Sequence, residues 1–197
     1  QLLVVRDILN EQLIKTLAKE NIEFNSGLNI TTVGRLVPQK GYDLAIAAAK
    51  ILKENGYEFK WRFVGGGMRE ELEALARAEG VADCIVFEGE QLNPYPYMAQ
   101  CDIYVQTSKF EGFGLTIGEA KILGKPIVST NFPVVYNQIT PGENGLVVEM
   151  TGEAIAEGII RLIDDKTLRE KLQSNVMAEH NTTAETESTK VIDLIEK

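Results

Sequence analysis

The chain has 197 residues, 44% of them hydrophobic and 25% charged, which is the composition of a soluble globular protein with one core. Twenty basic against 29 acidic residues give a net charge of −9, which argues against binding to nucleic acid or to an anionic membrane surface. We expect a cytoplasmic protein, because no stretch approaches the roughly 18 consecutive apolar residues of a membrane span and the N-terminus lacks a signal-peptide layout. Cys84 and Cys101 lie in or beside apolar runs and are expected to be reduced core side chains.

Short apolar runs rich in β-branched residues alternate with longer amphipathic segments, a pattern typical of parallel strands connected by helices. These elements predict a Rossmann-like α/β domain with three layers, α/β/α, and about six parallel strands. In such a sheet, ligands bind where loops leave the carboxyl ends of the strands. The predicted strands are 29–33, 60–64, 85–87, 103–106, 126–129 and 146–148, and the predicted helices are 10–20, 42–54, 68–79, 94–100, 115–123, 153–163 and 167–178.

The loop after the first predicted strand combines cations with glycines. Gly34 and Gly41 flank Arg35 and Lys40, so the backbone can approach a phosphate while two cations neutralise it. A turn with solvated cations is the alternative, because the loop lacks a Gly-Lys-Ser/Thr phosphate signature.

The loop after the second predicted strand contains three successive glycines, Gly65, Gly66 and Gly67. Glycines permit positive φ angles and carry no Cβ, so a flat base or sugar could lie against bare backbone. A tight turn into the next helix explains this loop equally well.

The loop between the fourth predicted strand and the helix at 115–123 is the most informative. Glu111 lies before the start of the helix and Glu119 about one turn inside it. Backbone N–H groups at the helix start would hold a phosphate, and the carboxylates would accept hydrogen bonds from sugar hydroxyls. The alternative is that Glu111 caps the helix and Glu119 is merely solvated. Between the two carboxylates we single out Gly112, Phe113, Gly114, Leu115 and Thr116.

Taken in order, these motifs resemble the C-terminal donor-binding domain of retaining glycosyltransferases of family 4, also called glycosyl transferases group 1. Such enzymes have the GT-B architecture, in which two Rossmann-like domains face each other across a cleft. The resemblance covers roughly residues 28–165 and rests on the segments 33–41, 64–67, 87–89, 111–130 and 143–147.

The resemblance implies a role for each matching position. Arg35 and Lys40 would clamp the nucleotide diphosphate and steady the departing charge. Glu111 would contact hydroxyls of the transferred sugar, Glu119 would contact the ribose, and the base would lie between the glycine loop and residues 87–89. The implied catalytic residues are Glu111, Arg35 and Lys40, and the implied donor-binding residues are Gly34, Gly65, Gly66, Gly112, Phe113, Gly114, Leu115, Thr116 and Glu119.

The implied reaction transfers a hexose, with retention at the anomeric carbon, from a nucleoside diphosphate sugar to an acceptor in surface polysaccharide or glycolipid synthesis. No cofactor and no metal are implied, and a UDP-sugar is favoured over a GDP-sugar. The family's N-terminal acceptor-binding domain is the expected partner within the same polypeptide. We therefore expect this chain alone to bind donor without transferring sugar, and any contact with the inner face of the membrane to run through that domain.

Three regions are predicted: an N-terminal helix and interdomain connection over 1–27, the nucleotide-sugar domain over 28–180, and a C-terminal helical tail over 181–197. His180, the one histidine of the chain, is expected to be a solvated surface residue. The family commonly has an Arg-aromatic pair before the first Glu, and in this sequence that pair is Lys109-Phe110.

Two other functions are compatible with the same loops. One is a GT-B epimerase acting on a nucleotide sugar, although no residue marks the general base that it would need. The other is a non-catalytic module that binds a nucleotide. A Rossmann dehydrogenase is disfavoured, since no Gly-x-Gly-x-x-Gly follows the first strand.

Overall fold

The structure is a computed structural model that describes residues 9–24 and 26–179. The strands are β1 (Leu28–Val33), β2 (Phe59–Val64), β3 (Ile85–Gly89), β4 (Ile103–Gln106), β5 (Ile127–Thr130) and β6 (Leu146–Val148). The helices are α1 (Glu11–Leu17), α2 (Tyr42–Glu54), α3 (Arg69–Ala78), α4 (Tyr95–Gln100), α5 (Leu115–Ile122), α6 (Gly152–Asp164) and α7 (166–179).

The six strands form one parallel sheet in the order β3-β2-β1-β4-β5-β6. Ile30 of β1 pairs with Trp61 of β2 on one side and with Ile103 of β4 on the other. The chain builds the sheet outward from β1 to β3, then returns to place β4 beside β1. The loops after β1 and β4 therefore diverge at a topological switch point, which is where open parallel sheets bind ligands.

Each face of the sheet is covered by helices over its own hydrophobic core. On one face, Ile46 and Ile159 pack with Trp61 and Phe63. On the other face, Met98 of α4 and Ile117 of α5 pack with Tyr104 and Phe132. All side chains of β4 and β5 are buried, as expected of central strands covered on both faces. The predicted three-layer Rossmann-like domain is confirmed.

Helix caps and boundaries follow the local sequence closely. Asn10 caps α1 by accepting a hydrogen bond from the Leu13 N–H at 2.9 Å, and Thr151 caps α6 in the same way. The helix predicted to reach Glu20 ends at Leu17, since the N–H groups of Lys19 and Glu20 bond three residues back rather than four. The other observed bounds lie within two residues of those predicted.

Cys84 and Cys101 are both buried and free, as predicted. No helix within 9–24 and 26–179 is long and apolar enough to cross a membrane. His180 and the tail predicted over 181–197 lie outside the described residues.

Candidate functional site

The loops after β1 and β4 are held together by backbone and side-chain hydrogen bonds. The Lys109 N–H donates to the Gln39 carbonyl, and the Thr107 hydroxyl donates to the Lys40 carbonyl, each at 2.8 Å. The Gln39 amide donates in turn to the Phe110 carbonyl at 2.8 Å. These bonds bring together two segments that are far apart in the chain.

Gly41 allows these two loops to approach so closely. Its φ is +66°, in the left-handed region, and a Cβ built on it would lie 2.0 Å from the Thr107 carbonyl oxygen. Any other residue would push the loops apart, because that oxygen belongs to the backbone and cannot rotate away.

Glu111 is the centre of the polar cluster that results. Its Oε1 accepts hydrogen bonds from Lys40 Nζ at 2.6 Å, from the Ser108 hydroxyl at 2.6 Å and from Gln106 Nε2 at 2.8 Å. The Glu111 side chain is only 8% exposed, so the Lys40 ammonium offsets much of the cost of burying its charge. No described residue donates to the other carboxylate oxygen, Oε2, which is left to accept a hydrogen bond from a ligand.

The start of α5 presents its backbone N–H groups beside this cluster. Gly114 precedes the helix with a φ of +83°, and no side chain caps it, so the structure rejects the alternative that Glu111 is the cap. The N–H groups of Gly114, Leu115 and Thr116 donate to none of the described residues. The Gln138 amide fixes this loop by donating to the carbonyls of Phe113 and Gly114. An uncapped helix start of this kind favours an anion.

Glu119, in the second turn of α5, is partly buried and accepts a hydrogen bond from the Tyr95 hydroxyl at 3.0 Å. Burial raises the pKa of Glu119, and the Tyr95 hydrogen bond opposes that rise. Burial and the neighbouring carboxylate also raise the pKa of Tyr95 to about 12. Glu119 is therefore not merely solvated, and Tyr95 holds it in place.

The glycine loop after β2 packs directly against the loop after β1. A Cβ on Gly65 would lie 2.0 Å from the Gly34 carbonyl oxygen, so the two backbones touch here. The Leu36 N–H donates to the Gly66 carbonyl at 2.7 Å and extends the contact. Positive φ occurs at Gly65 and Gly67 but not at Gly66, so only two of the three glycines use this freedom.

The structure thus brings Lys40, Glu111 and the Gly112–Thr116 loop together, with Gly34 against the Lys40 side chain. Arg35 lies in the same loop and is exposed to solvent, and its side chain has no hydrogen-bonding partner among the described residues. Sequence reasoning assigned no role to three residues of the site: Gln106, Ser108 and Tyr95. A detectable signal was present for Gln106, which is a polar residue at the end of a buried apolar strand.

The model of the family described as glycosyl transferases group 1 matches residues 14–178, and this chain belongs to that family. A relative in Rhizobium meliloti, the lipopolysaccharide core biosynthesis glycosyltransferase LpsE, is 32% identical over 144 residues, which are 73% of this chain and 42% of LpsE. The chain therefore spans well under half the length of that relative.

Solved structures with the same fold include one with bound UDP. The HepE structure from Anabaena in complex with UDP superimposes with a TM-score of 0.79 at 23% identity, covering 86% of this chain and 49% of HepE. The C-terminal domain of the glycosyl transferase group 1 family protein LpcC from Francisella tularensis superimposes with a TM-score of 0.69 at 28% identity. The match covers 77% of this chain and 83% of that domain. The fold is thus that of one half of a GT-B enzyme.

Proposed function

We propose that this chain is the donor-binding domain of a retaining glycosyltransferase that transfers a hexose from a nucleoside diphosphate sugar. The observation that carries the proposal is the Lys40–Glu111 pair beside the uncapped start of α5, at the switch point of the sheet. One small volume then offers a cation, free amides and a carboxylate oxygen. These three groups suit a diphosphate and the sugar attached to it.

In the proposed complex, Arg35, Lys40 and the α5 amides hold the diphosphate. Cations and amides aimed at a departing diphosphate stabilise the charge that develops as the glycosidic bond breaks. Glu111 Oε2 accepts a hydrogen bond from the sugar, and Glu119 accepts bonds from the ribose. The base lies between the glycine loop at Gly65 and Gly66 and residues 87–89, with the Glu90 side chain beside Gly66.

The proposed donor is a UDP-sugar rather than a GDP-sugar. The support is the similarity in fold to HepE, whose structure contains UDP. Among the described residues no group of three or more His, Cys, Asp and Glu could hold a metal ion. In the proposed complex, Arg35, Lys40 and the α5 amides neutralise the diphosphate in place of a metal ion.

The proposed partner is an acceptor-binding domain of the same polypeptide, facing the carboxyl edge of the sheet. Three apolar side chains are exposed at this edge: Phe110 in the loop after β4 (60%), Leu115 at the start of α5 (44%) and Tyr136 in a short 3-10 helix after β5 (57%). Exposed apolar side chains around a polar site are typical of surfaces that contact another protein surface. The share of LpsE that this chain leaves uncovered is long enough for a second domain.

The proposed setting is the synthesis of surface polysaccharide or glycolipid in the cytoplasm, at the inner face of the membrane. The similarity to a lipopolysaccharide core glycosyltransferase supports it. Acceptor and membrane would both contact the partner domain, which accords with the acidic charge of this chain.

Calorimetric titration with UDP and GDP tests the proposal. We expect UDP to bind, and we expect Lys40→Ala or Arg35→Ala to weaken binding by about 1.5–3 kcal/mol, the range for hydrogen bonds to charged groups. Lys109→Ala is the matched control, because it removes the same charge from a neighbouring loop where Lys109 pairs with exposed Asp43. Equal UDP affinity in all three variants and the wild type would refute the phosphate assignment.

A further inference from the structure

Gln106, the last residue of β4, is a polar side chain in a buried position. It is 1% exposed, and its neighbours Tyr104 and Ser108 are fully buried. Burying an amide costs free energy unless its donors and acceptor are hydrogen-bonded, so the partners of this side chain indicate its role.

All four hydrogen-bonding positions of the Gln106 amide are used. Its Oε1 accepts from the Tyr104 hydroxyl at 2.7 Å and from the Thr116 hydroxyl at 3.0 Å. Its Nε2 donates to the Ser108 hydroxyl at 2.7 Å and to Glu111 Oε1 at 2.8 Å. The orientation of the amide is fixed, because the reverse orientation would point a carbonyl oxygen at the Glu111 carboxylate.

Gln106 therefore connects the two halves of the proposed donor site. Thr116 lies in the first turn of α5, where the diphosphate is proposed to bind, and Glu111 faces the sugar. Lys40 also binds Glu111, but the proposed complex requires its ammonium to bind the diphosphate as well. When Lys40 turns toward phosphate, Gln106 and Ser108 remain to hold Glu111 Oε1.

We propose that Gln106 is a positioning residue that fixes Glu111 Oε2 relative to the start of α5, and so determines how well the site recognises the sugar of a bound nucleotide sugar. The inference rests on the proposed function, in which Glu111 contacts the sugar. Gln106 touches neither substrate nor the departing phosphate in this scheme. Its effect should therefore fall on the sugar and not on the nucleotide.

The test measures dissociation constants for UDP and for UDP-glucose, UDP-galactose and UDP-N-acetylglucosamine, and uses the UDP-hexose that binds the wild type most tightly. The ratio of the UDP-hexose constant to the UDP constant reports the contribution of the sugar alone. For Gln106→Met, similar in volume but unable to make these hydrogen bonds, we expect the ratio to rise about tenfold or more while the UDP constant changes less than about threefold.

Gln106→Glu is the second variant. It keeps the shape and the acceptor that faces Tyr104 and Thr116, and it replaces the Nε2 donor to Ser108 and Glu111 with a second carboxyl oxygen. We expect the same rise in the ratio. Thr32→Val controls for the loss of a buried hydrogen bond elsewhere, since Thr32 is buried in the adjacent strand and bonds to the Val105 carbonyl and to Trp61. The control should lower thermal stability and leave the ratio unchanged.

Glu111→Ala separates the two levels of the proposal. If Glu111→Ala raises the ratio and both folded Gln106 variants leave it unchanged, the positioning role is overturned and the proposed function stands. If Glu111→Ala itself leaves the ratio unchanged, the sugar contact proposed for Glu111 is wrong. A parallel loss of UDP and UDP-hexose affinity in the Gln106 variants would also overturn the positioning role.

Discussion

The two carboxylates of the site, Glu111 and Glu119, lie in very different surroundings. Glu111 receives three hydrogen bonds on one oxygen, one of them from the Lys40 ammonium. Glu119 receives one hydrogen bond, from the uncharged Tyr95 hydroxyl. The charge of Glu111 is thus balanced within the protein, whereas burial raises the pKa of Glu119 and no cation among residues 9–24 and 26–179 opposes that rise.

This difference separates a preorganised group from one that depends on its ligand. The Lys40–Glu111 pair fixes geometry before a donor arrives, which is the condition for strong electrostatic stabilisation of a reaction. Glu119 is a partly buried carboxylate that can accept further hydrogen bonds, and ribose hydroxyls would supply them. The Lys40–Glu111 pair should therefore contribute more to stability, and Glu119 should be the group that responds to pH.

The largest expected effect follows from breaking the balanced pair. Lys40→Met leaves the Glu111 charge buried without its cation and should lower the free energy of unfolding by about 2–4 kcal/mol, measured by urea denaturation. Lys109→Met, which breaks an exposed pair with Asp43, should cost less than about 1 kcal/mol. Equal losses in the two variants would show that the balance at Glu111 does not stabilise the fold.

The next effect tests the ligand-dependent carboxylate. Glu119→Ala should remove most of the preference for UDP over 2′-deoxy-UDP, a loss of about 1.5–3 kcal/mol, because hydrogen bonds from ribose to a charged acceptor disappear. Calorimetry with both nucleotides measures the preference. A variant that discriminates as well as the wild type would rule out the ribose contact.

A smaller change in stability, opposite in sign to that expected for Lys40→Met, should follow from removing the charge of Glu119, and it should depend on pH. Because its pKa is raised in the folded state, the native protein binds protons more readily than the unfolded chain, and this group lowers stability as the pH rises through the raised pKa. The free energy of unfolding of Glu119→Gln should therefore exceed that of the wild type by up to about 1 kcal/mol at pH 7. The difference should vanish near pH 3, where the wild-type carboxyl is protonated in both the folded and the unfolded state. Thermal unfolding across this range measures it, and a Glu119→Gln protein less stable than wild type at pH 7 would contradict it.

The smallest effect comes from Tyr95→Phe. Losing the hydroxyl removes a hydrogen bond that favours the charged form of Glu119, so the pKa of Glu119 should rise further. UDP affinity should fall only a few-fold at pH 7, and its loss on acidification should begin at a higher pH than in the wild type. Titrations from pH 5 to 8 measure both profiles, and coincident profiles would mean that Tyr95 does not control Glu119.

The fold could be predicted because local sequence determines much of it. The β-branched runs at 103–106 and 126–129 are long enough to mark buried strands, and Asn55-Gly56 marks the end of α2. Glu111 and Lys40 could also be predicted from local sequence, because each is a charged residue in a glycine-rich loop.

The hydrogen bonds inside the site could not be predicted in the same way. The bond from Tyr95 to Glu119 joins residues 24 positions apart, and it depends on how α4 and α5 pack on one face of the sheet. The bonds from Gln106 and Ser108 to Glu111 are local in sequence, but Lys40 joins them only because the strand order places β1 beside β4. Periodicity reveals strands but does not state which of them become neighbours.

The placement of β1 beside β4 has a consequence for how the protein folds. Lys40 and Glu111 are 71 positions apart, so the chain must close a long loop before their charges meet. A nucleotide sugar that needs both residues would bind only after the two central strands have joined. Binding of a UDP-sugar during refolding would therefore report when the sheet is complete. The ligand would stabilise the finished domain by RT ln(1 + L/Kd), where L is the free ligand concentration.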